Sequence, residues 1–256
     1  FSQRVLKMRV LQIDIGNTSI KWRLLVSGVV NCRGRVLAKN PGLFFERLKD
    51  IAEVDAIPVS SVASSDFNSL ISEKLLEIFG SAPWFCVSTD KLIGVTNAYL
   101  DSSELGVDRW LAIVAAWAEF QRDVIIIDSG TALTIDIVDQ KGSHLGGYII
   151  PGGTLMERAL LSDTANLRCD YSSAEQEARP GNNTAQAIKN GIALAHVGAV
   201  YSILDNFQKD FLATGMPALV FCGGGGELLR DLCKLESFWR PDLVFEGLEI
   251  AARELL

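Results

Sequence analysis

The chain predicts an α/β fold made of two duplicated halves, each a mixed sheet flanked by helices, and three observations carry that expectation. The first is a repeat: LQIDIGNTSIK at Leu11–Lys21 returns in kind as VIIIDSGTALTID at Val124–Asp136, nearly half the chain later. Each copy is an apolar strand-like run ending in Asp-x-Gly-[Asn/Thr], followed by a second alternating run, Ser19–Leu25 or Ala132–Val138. The second is the alternation of strand-like and helix-like segments through the first half. The third is PALVFCGGGGE at Pro217–Glu227, an apolar strand running into four glycines and then a helix-like segment.

Each repeat reads as a tight hairpin. Gly16 or Gly130 is expected to supply a positive-φ turn whose backbone N–H groups face an anion, with small hydroxyl and amide residues adding donors. Asp14 and Asp128, at the strand ends, offer oxygen to a hard cation accompanying a phosphate. An ordinary hairpin with helpful turn residues explains one copy as well; two copies suggest halves that clasp a nucleotide. Neither a P-loop nor a dinucleotide-binding Gly-x-Gly-x-x-Gly is present. Gly223 to Gly226 would let a base or ribose approach the backbone, or would be a flexible strand-to-helix turn.

In order, the first half reads as two hairpin strands, a strand at 29–37, a helix at 43–52, a strand at 56–63, a helix at 66–79 and a strand at 84–87. A loop over Ser88–Gly106 leads into a helix at 108–120. Its Trp110, Leu111, Ile113, Val114, Trp117 and Phe120 leave little polar face, so it packs between layers or between subunits. The second half continues through the Val124 hairpin, a strand near 146–150, a Pro-Gly-Gly turn, a helix at 155–162 and a polar stretch at Asn166–Asn183, the best loop or lid candidate. A long helix at 185–211 carries small residues at Gly191, Ala195, Gly198 and Ala199, spaced for close approach of another helix, in the core or at a subunit interface.

Composition narrows the function. A net charge of −7 and a pI near 5.0 disfavour nucleic-acid binding, and Arg4, Lys7 and Arg9 are too few to reverse that. Five scattered cysteines without a Cys-x-x-Cys pair predict reduced thiols, with neither a disulfide framework nor a zinc site. No stretch approaches an eighteen-residue apolar span and FSQRVLKM lacks a signal-peptide core, so the expectation is a cytoplasmic protein with no membrane partner. Of the two histidines, His196 reads as structural, and His144 as a turn residue with a lesser claim to the site. A general base is then a carboxylate.

With these elements in place the chain resembles the type III pantothenate kinases, within the superfamily of actin-like ATPases and sugar kinases. The matching stretches are DIGNTSIKW at Asp14–Trp22, NAYLDSSELGVDRW at Asn97–Trp110, DSGTALTID at Asp128–Asp136, GGYIIPG at Gly146–Gly152 and GNNTAQAI at Gly181–Ile188. The combination of Gly-x-Asp-Arg-Trp between two such hairpins is specific; one hairpin alone would indicate only the superfamily. The FCGGGGE glycine run is longer than the family usually has after its late strand.

The resemblance implies two ribonuclease H-like domains, divided here as 1–117 and 118–256, and a homodimer. It implies ATP-dependent phosphorylation of pantothenate to 4′-phosphopantothenate, the first step of coenzyme A biosynthesis. ATP phosphates would be held by Asp14, Ile15, Gly16, Asn17, Thr18, Ser19, Ile20 and Lys21, with Asp14 organising Mg²⁺, and Thr131 would meet ATP. Asp128 would help bind a monovalent cation, K⁺ or NH₄⁺. Tyr99, Gly106, Val107, Asp108, Arg109 and Thr184 would contact pantothenate, with Asp108 the proton acceptor and Arg109 the fork for the substrate carboxylate. Read without the resemblance, Asp108 is equally a helix N-cap and Arg109 a surface ion-pair partner. Rival functions are a nucleotide-binding transcription accessory protein and another small-molecule kinase of the superfamily.

Overall fold

The computed structural model describes residues 8–162, 177–210 and 215–255. The first part of the expected 166–183 loop, Cys169, Arg4 and Lys7 lie outside the described residues. The chain divides into two compact units, Phe1–Glu119 with Asp242–Leu256, and Phe120–Pro241. The C-terminal segment therefore belongs with the first unit, where the division at 117/118 grouped it with the second half.

In the first unit, β1 (Arg9–Ile15), β2 (Ser19–Val26) and β3 (Val29–Leu37) form an antiparallel meander, and β4 (Pro58–Ser61) and β5 (Trp84–Phe85) add in parallel, giving the order β3-β2-β1-β4-β5. Strand periodicity sorts the side chains. Leu11, Ile13 and Ile15 of β1, with Ile20, Trp22 and Leu24 of β2, form one core with Phe44 and Leu48 of α1 (Pro41–Leu48) and Ile71 and Leu75 of α2 (Ser65–Phe79). The alternate residues, Gln12 and Asp14 opposite Arg23 and Lys21, fall on the other face in successive cross-strand pairs. On β3, Gly34 is required because Trp22 lies across it: a Cβ there would sit 2.1 Å from the indole.

The polar face of β1 and β2 is covered by α7 (Leu243–Leu255), for which the sequence reading made no provision. Arg23, buried, donates through Nε to Gln12 Oε1 at 2.6 Å, and its guanidinium meets Asp242 at 3.4 Å and Glu249 at 3.6 Å. It also lies over the Phe245 ring, 5.0 Å from the centroid, while Gln12 Nε2 donates to Phe245 O at 3.3 Å. Burial pulls the Arg23 pKa down, and the carboxylates Asp242, Glu249 and Glu246 oppose that. Gly247 lets α7 touch α3 (Val107–Phe120), since a Cβ there would be 2.0 Å from Leu111 O.

The second unit repeats the pattern. β8 (Val124–Ser129), β9 (Ala132–Val138) and β10 (His144–Pro151) form the meander, and β11 (Ala218–Cys222) and β12 (Phe238–Trp239) add in parallel, in the order β10-β9-β8-β11-β12. In chain order β6 (Lys91–Leu92) and β7 (Val95–Thr96) form a small separate hairpin between the two sheets' segments. One face of the second sheet packs on α5 (Thr184–Asp210) and α6 (Gly226–Cys233), through Val197, Val200, Ile203, Leu204, Phe207, Leu229 and Cys233. α4 (Gly153–Ser162) joins β10 to the segment before α5.

Two expectations change here. The Thr184–Phe207 stretch of α5 has the length and, at a mean hydropathy of 1.3, the apolarity of a membrane span. Its Ile, Val, Leu and Ala residues supply that apolarity, and Val197, Val200, Ile203, Leu204 and Phe207 line the core of the second unit while Leu194 is exposed. Of the small-residue stripe on α5, Gly191, Ala195 and Gly198 are exposed and Ala199 is half-buried, and among the described residues a Cβ at Gly191 or Gly198 meets nothing within 4 Å, which leaves the core alternative without support.

Candidate active site

The first hairpin closes at the Ile15–Ile20 pair, and Gly16 N–H donates to Ser19 O at 3.0 Å. Asn17 and Thr18 are exposed at its tip, whereas Ile15 and Ile20 point into the core, so only their backbone can meet a ligand. The second hairpin closes one residue tighter, at Ser129–Leu133, with Gly130 N–H donating to Ala132 O at 2.9 Å. The positive-φ turn expected at Gly16 and Gly130 is not what is found. Neither is among the positive-φ glycines, and a Cβ at either would meet protein no closer than 3.6 Å. The extra residue in one loop and the tight closure in the other are both achieved without left-handed backbone. A methyl group at these two positions would instead narrow the approach to the exposed turn.

At the end of β1, Asp14 is buried with three polar neighbours. Lys21, its cross-strand partner, places Nζ 3.5 Å from Oδ2, and Ser60, its parallel neighbour on β4, donates from Oγ to Oδ1 at 3.2 Å. The third is Asp108, at the start of α3, close enough for its charge to act on Asp14. Burial pushes the Asp14 carboxyl above its usual range; Lys21 opposes this, Asp108 adds to it and the Ser60 hydrogen bond opposes it. The Lys21 ammonium meets only the Asp14 carboxylate directly, so the two carboxylates and one ammonium sum to net negative charge. Among the described residues no group of three or more His, Cys, Asp or Glu is arranged to cage a metal. One or two carboxylates completed by phosphate oxygens is the mode that suits Mg²⁺, and the donor set fits it.

The helix bearing Asp108 begins at Val107, so Asp108 lies in its first turn and is not the N-cap. Its Oδ1 accepts from the Arg109 backbone N–H at 2.8 Å, and it packs so close to Gly106 that a Cβ there would sit 2.8 Å away. Arg109 is buried, against the surface ion-pair reading. It donates from a terminal nitrogen to the Tyr99 hydroxyl at 3.0 Å and lies 5.9 Å from the centre of that ring. Tyr99 is itself positioned by Asn97, whose Oδ1 accepts the Tyr99 N–H at 3.0 Å and whose amide donates to Thr89 O at 3.3 Å. Ser88 Oγ donates to Leu105 O at 2.7 Å and closes the 88–106 loop at its base. Asp14, Lys21 and Asp108 are thus brought together, and Tyr99 with Arg109. Val107 is buried, so its side chain packs in the protein.

In the second unit the chain's own packing accounts for the glycine run. A Cβ at Gly223, which has φ +81°, would be 2.1 Å from Asp128 Oδ1; one at Gly225 would be 2.8 Å from Ser129 Oγ; one at Gly226 would strike Trp239 at 2.6 Å. These glycines let α6 start against the end of β8, and Gly225 N–H donates to Ser129 O at 2.8 Å. Thr131 is exposed, and Gly152 supports its turn by donating to Thr131 O at 3.0 Å. His196 is structural: its Nε2 donates to Pro151 O at 3.0 Å beside that contact. His144 belongs to β10, not to a turn, and is buried with Nε2 3.0 Å from Asp136 Oδ1. Thr184 is exposed at the first turn of α5, where Asn183 Oδ1 accepts the Gln186 N–H at 3.0 Å and Gln186 Oε1 accepts the Asn182 N–H at 3.2 Å.

A meander of three strands plus two parallel strands, built twice with an aspartate at the end of each central strand, defines a protein of the actin-like ATPase and sugar kinase fold. A Sinorhizobium meliloti protein named as a 2-dehydro-3-deoxygalactonokinase shares that fold at TM-score 0.58 and 15% identity, covering 96% of each chain. A Campylobacter jejuni protein described as a Baf family transcriptional activator does so at TM-score 0.60 and 20% identity, covering 95% of this chain and 98% of the other. The family model for type III pantothenate kinase matches residues 10–206, and the type III pantothenate kinase of Hahella chejuensis is 36% identical over 248 residues, 96% of this chain and 98% of that one. The chain belongs to the type III pantothenate kinase family.

Ser60 and Asn97 escaped the sequence reading as site residues. Ser60 was legible only as a strand position, and its contact depends on parallel register. The Asp14 environment has a pH consequence. A carboxyl whose folded pKa lies above its unfolded value binds more protons when folded, so it favours folding at low pH and opposes it increasingly as pH rises through the folded pKa. In metal-free protein Asp14→Asn should therefore gain melting temperature relative to the parent as pH rises from below the ordinary carboxylate range, about pH 3.5, to neutral. Parallel melting curves for the two proteins across that range would refute the burial-dominated shift.

Proposed function

We propose that this chain phosphorylates pantothenate with ATP to give 4′-phosphopantothenate, the first step of coenzyme A biosynthesis. As a member of its family it is a kinase that uses ATP with a divalent metal. The observation that carries the reading is the juxtaposition of Asp14 and Asp108, one at a phosphate-type hairpin and the other beside the Tyr99–Arg109 pair. Phosphoryl transfer asks mainly for alignment and charge balance. Asp108 orients the pantothenate hydroxyl and takes its proton as the oxygen bonds the γ-phosphorus and ADP departs. Arg109, held by Tyr99, meets the substrate carboxylate with its planar fork. Gly106, Val107 and Thr184 complete the pantothenate contacts.

The hairpin residues Asp14 to Lys21 hold the ATP phosphates, Ile15 and Ile20 through backbone alone, and Thr131 contacts the same nucleotide. Mg²⁺ bound through Asp14 would neutralise phosphate charge that Lys21 shares. A monovalent cation, K⁺ or NH₄⁺, at Asp128 is proposed from the family resemblance. Supporting a homodimer, α4 buries no residue although it carries Leu155 and Leu160, and Leu194 is exposed beside Gly191 and Gly198 on α5. The apolar α3 no longer argues for it, since that helix is buried within the chain.

Labelled ATP offered with a panel of acceptors tests the function: label should pass to pantothenate in preference to sugars. Binding of nucleotide with no acceptor labelled would favour an accessory binding protein. Asp108→Asn should lower kcat by roughly 10²- to 10⁴-fold while pantothenate still binds. Arg109→Ala should weaken pantothenate binding by roughly 1.5 to 3 kcal/mol with ATP affinity little changed. Calorimetry showing the opposite division would reverse the two roles. KCl should raise activity over NaCl in the parent and much less in Asp128→Ala; indifference of the parent to either salt counts against the cation site. Sedimentation at assay concentration should show a dimer, and a fully active monomer would dispose of that part.

A further inference from the structure

We infer that Ser60 is a positioning residue that fixes the plane of the Asp14 carboxylate, and so decides which of its lone pairs meet the metal; the inference rests on the reading of Asp14 given above. Ser60 is fully buried, on the strand parallel to β1, and in register with Asp14. In a parallel pair, registered residues project from the same face, so the serine hydroxyl has a fixed direction before any ligand arrives. It donates to Oδ1 while Lys21 faces Oδ2, so each carboxylate oxygen has its own partner, and the buried serine is the fixed one of the two because Lys21 is more than a third exposed.

The duplicated half supplies an internal control. Asp128 occupies the place of Asp14, and its parallel neighbour on β11 is Cys222 where the first half has Ser60; its cross-strand partner is Thr134 where the first half has Lys21. The scaffold thus accepts a thiol at this position, and a strong hydroxyl donor there is a feature of the first half alone. Ligand-orienting hydrogen bonds of this kind commonly change metal affinity by an order of magnitude or more.

The test measures Mn²⁺ binding by loss of the free-ion EPR signal, in the presence of a non-hydrolysable ATP analogue, for the parent, Asp14→Asn, Ser60→Ala and Ser60→Cys. Both serine variants should bind Mn²⁺ about tenfold more weakly, with the pantothenate KM within about twofold of the parent. Ser60→Cys keeps the volume and copies the residue in the other half, so it reports if Ser60→Ala does not fold. Serine variants with parental Mn²⁺ affinity, beside an Asp14→Asn that binds more weakly, overturn the inference and leave the site reading standing. An Asp14→Asn that binds Mn²⁺ as the parent does overturns the site reading itself. Equal losses in Mn²⁺ affinity and pantothenate KM, or failure of both serine variants to fold, assign Ser60 to the fold alone.

Discussion

A buried carboxylate, Asp14, with a second, Asp108, close enough for its charge to act on it and the Lys21 ammonium beside it, sets the terms for the rest of the first unit. Desolvation disfavours the charge on Asp14, and Asp108 makes it worse. A protein folded for stability alone would avoid this arrangement. It persists because the surrounding strands leave Asp14 little choice: it alternates with Ile13 and Ile15, which are locked in the core, so its side chain must project to the opposite face. A slip of one residue in β1 would exchange the core and polar sets entirely. The site is therefore specified by the same period-two pattern that specifies the sheet, and strain at Asp14 is resisted by the whole apolar face beneath it.

That polar face must also be covered, and the cover comes from the far end of the sequence. Gln12 and Arg23 form the cross-strand pair next to Asp14 and Lys21 on that face, and Arg23 binds Asp242 and Glu249 flanking and within α7. Removing one partner from a buried ion-pair network is far more damaging than its net contribution suggests, because the other charges are left unpaired. The clamp thus ties the chain's end to its first hairpin and accounts for the C-terminal segment belonging to the first unit. It lies two rungs along the hairpin from Asp14 and Lys21, with the core pair Ile13–Trp22 between them.

Much of this was legible because two strands ending in Asp-x-Gly and the stretch around Asp108 are short, local and distinctive. Element types and order followed from periodicity, and the two-sheet α/β fold emerged as expected. Where the sequence left alternatives open or missed a residue, long-range contact mostly decides. Gly223, Gly225 and Gly226 look like a ligand-facing loop in sequence, but Asp128, Ser129 and Trp239 demand their smallness. Gly16 and Gly130 look like left-handed turn residues, yet the hairpins close without that backbone. The stripe on α5 has helix-packing spacing, and only the structure shows that, among the described residues, no neighbour lies within 4 Å of a Cβ at Gly191 or Gly198. Ser60 and α7 act on residues 46 and more than 200 positions away, distances at which local pattern carries no information.

Duplication adds a further constraint on how function divides between the halves. The two sheets have the same strand order and the same aspartate at the end of the central strand, so backbone geometry alone does not make one half different in chemistry from the other. The difference lies in the registered neighbours. Lys21 and Ser60 give Asp14 a charge partner and a hydroxyl donor. Thr134 and Cys222 give Asp128 neutral registered neighbours, and the glycines of the α6 entry close upon it. One motif thus sits in two different polar surroundings, set by the side chains one strand over and not by Asp-x-Gly itself.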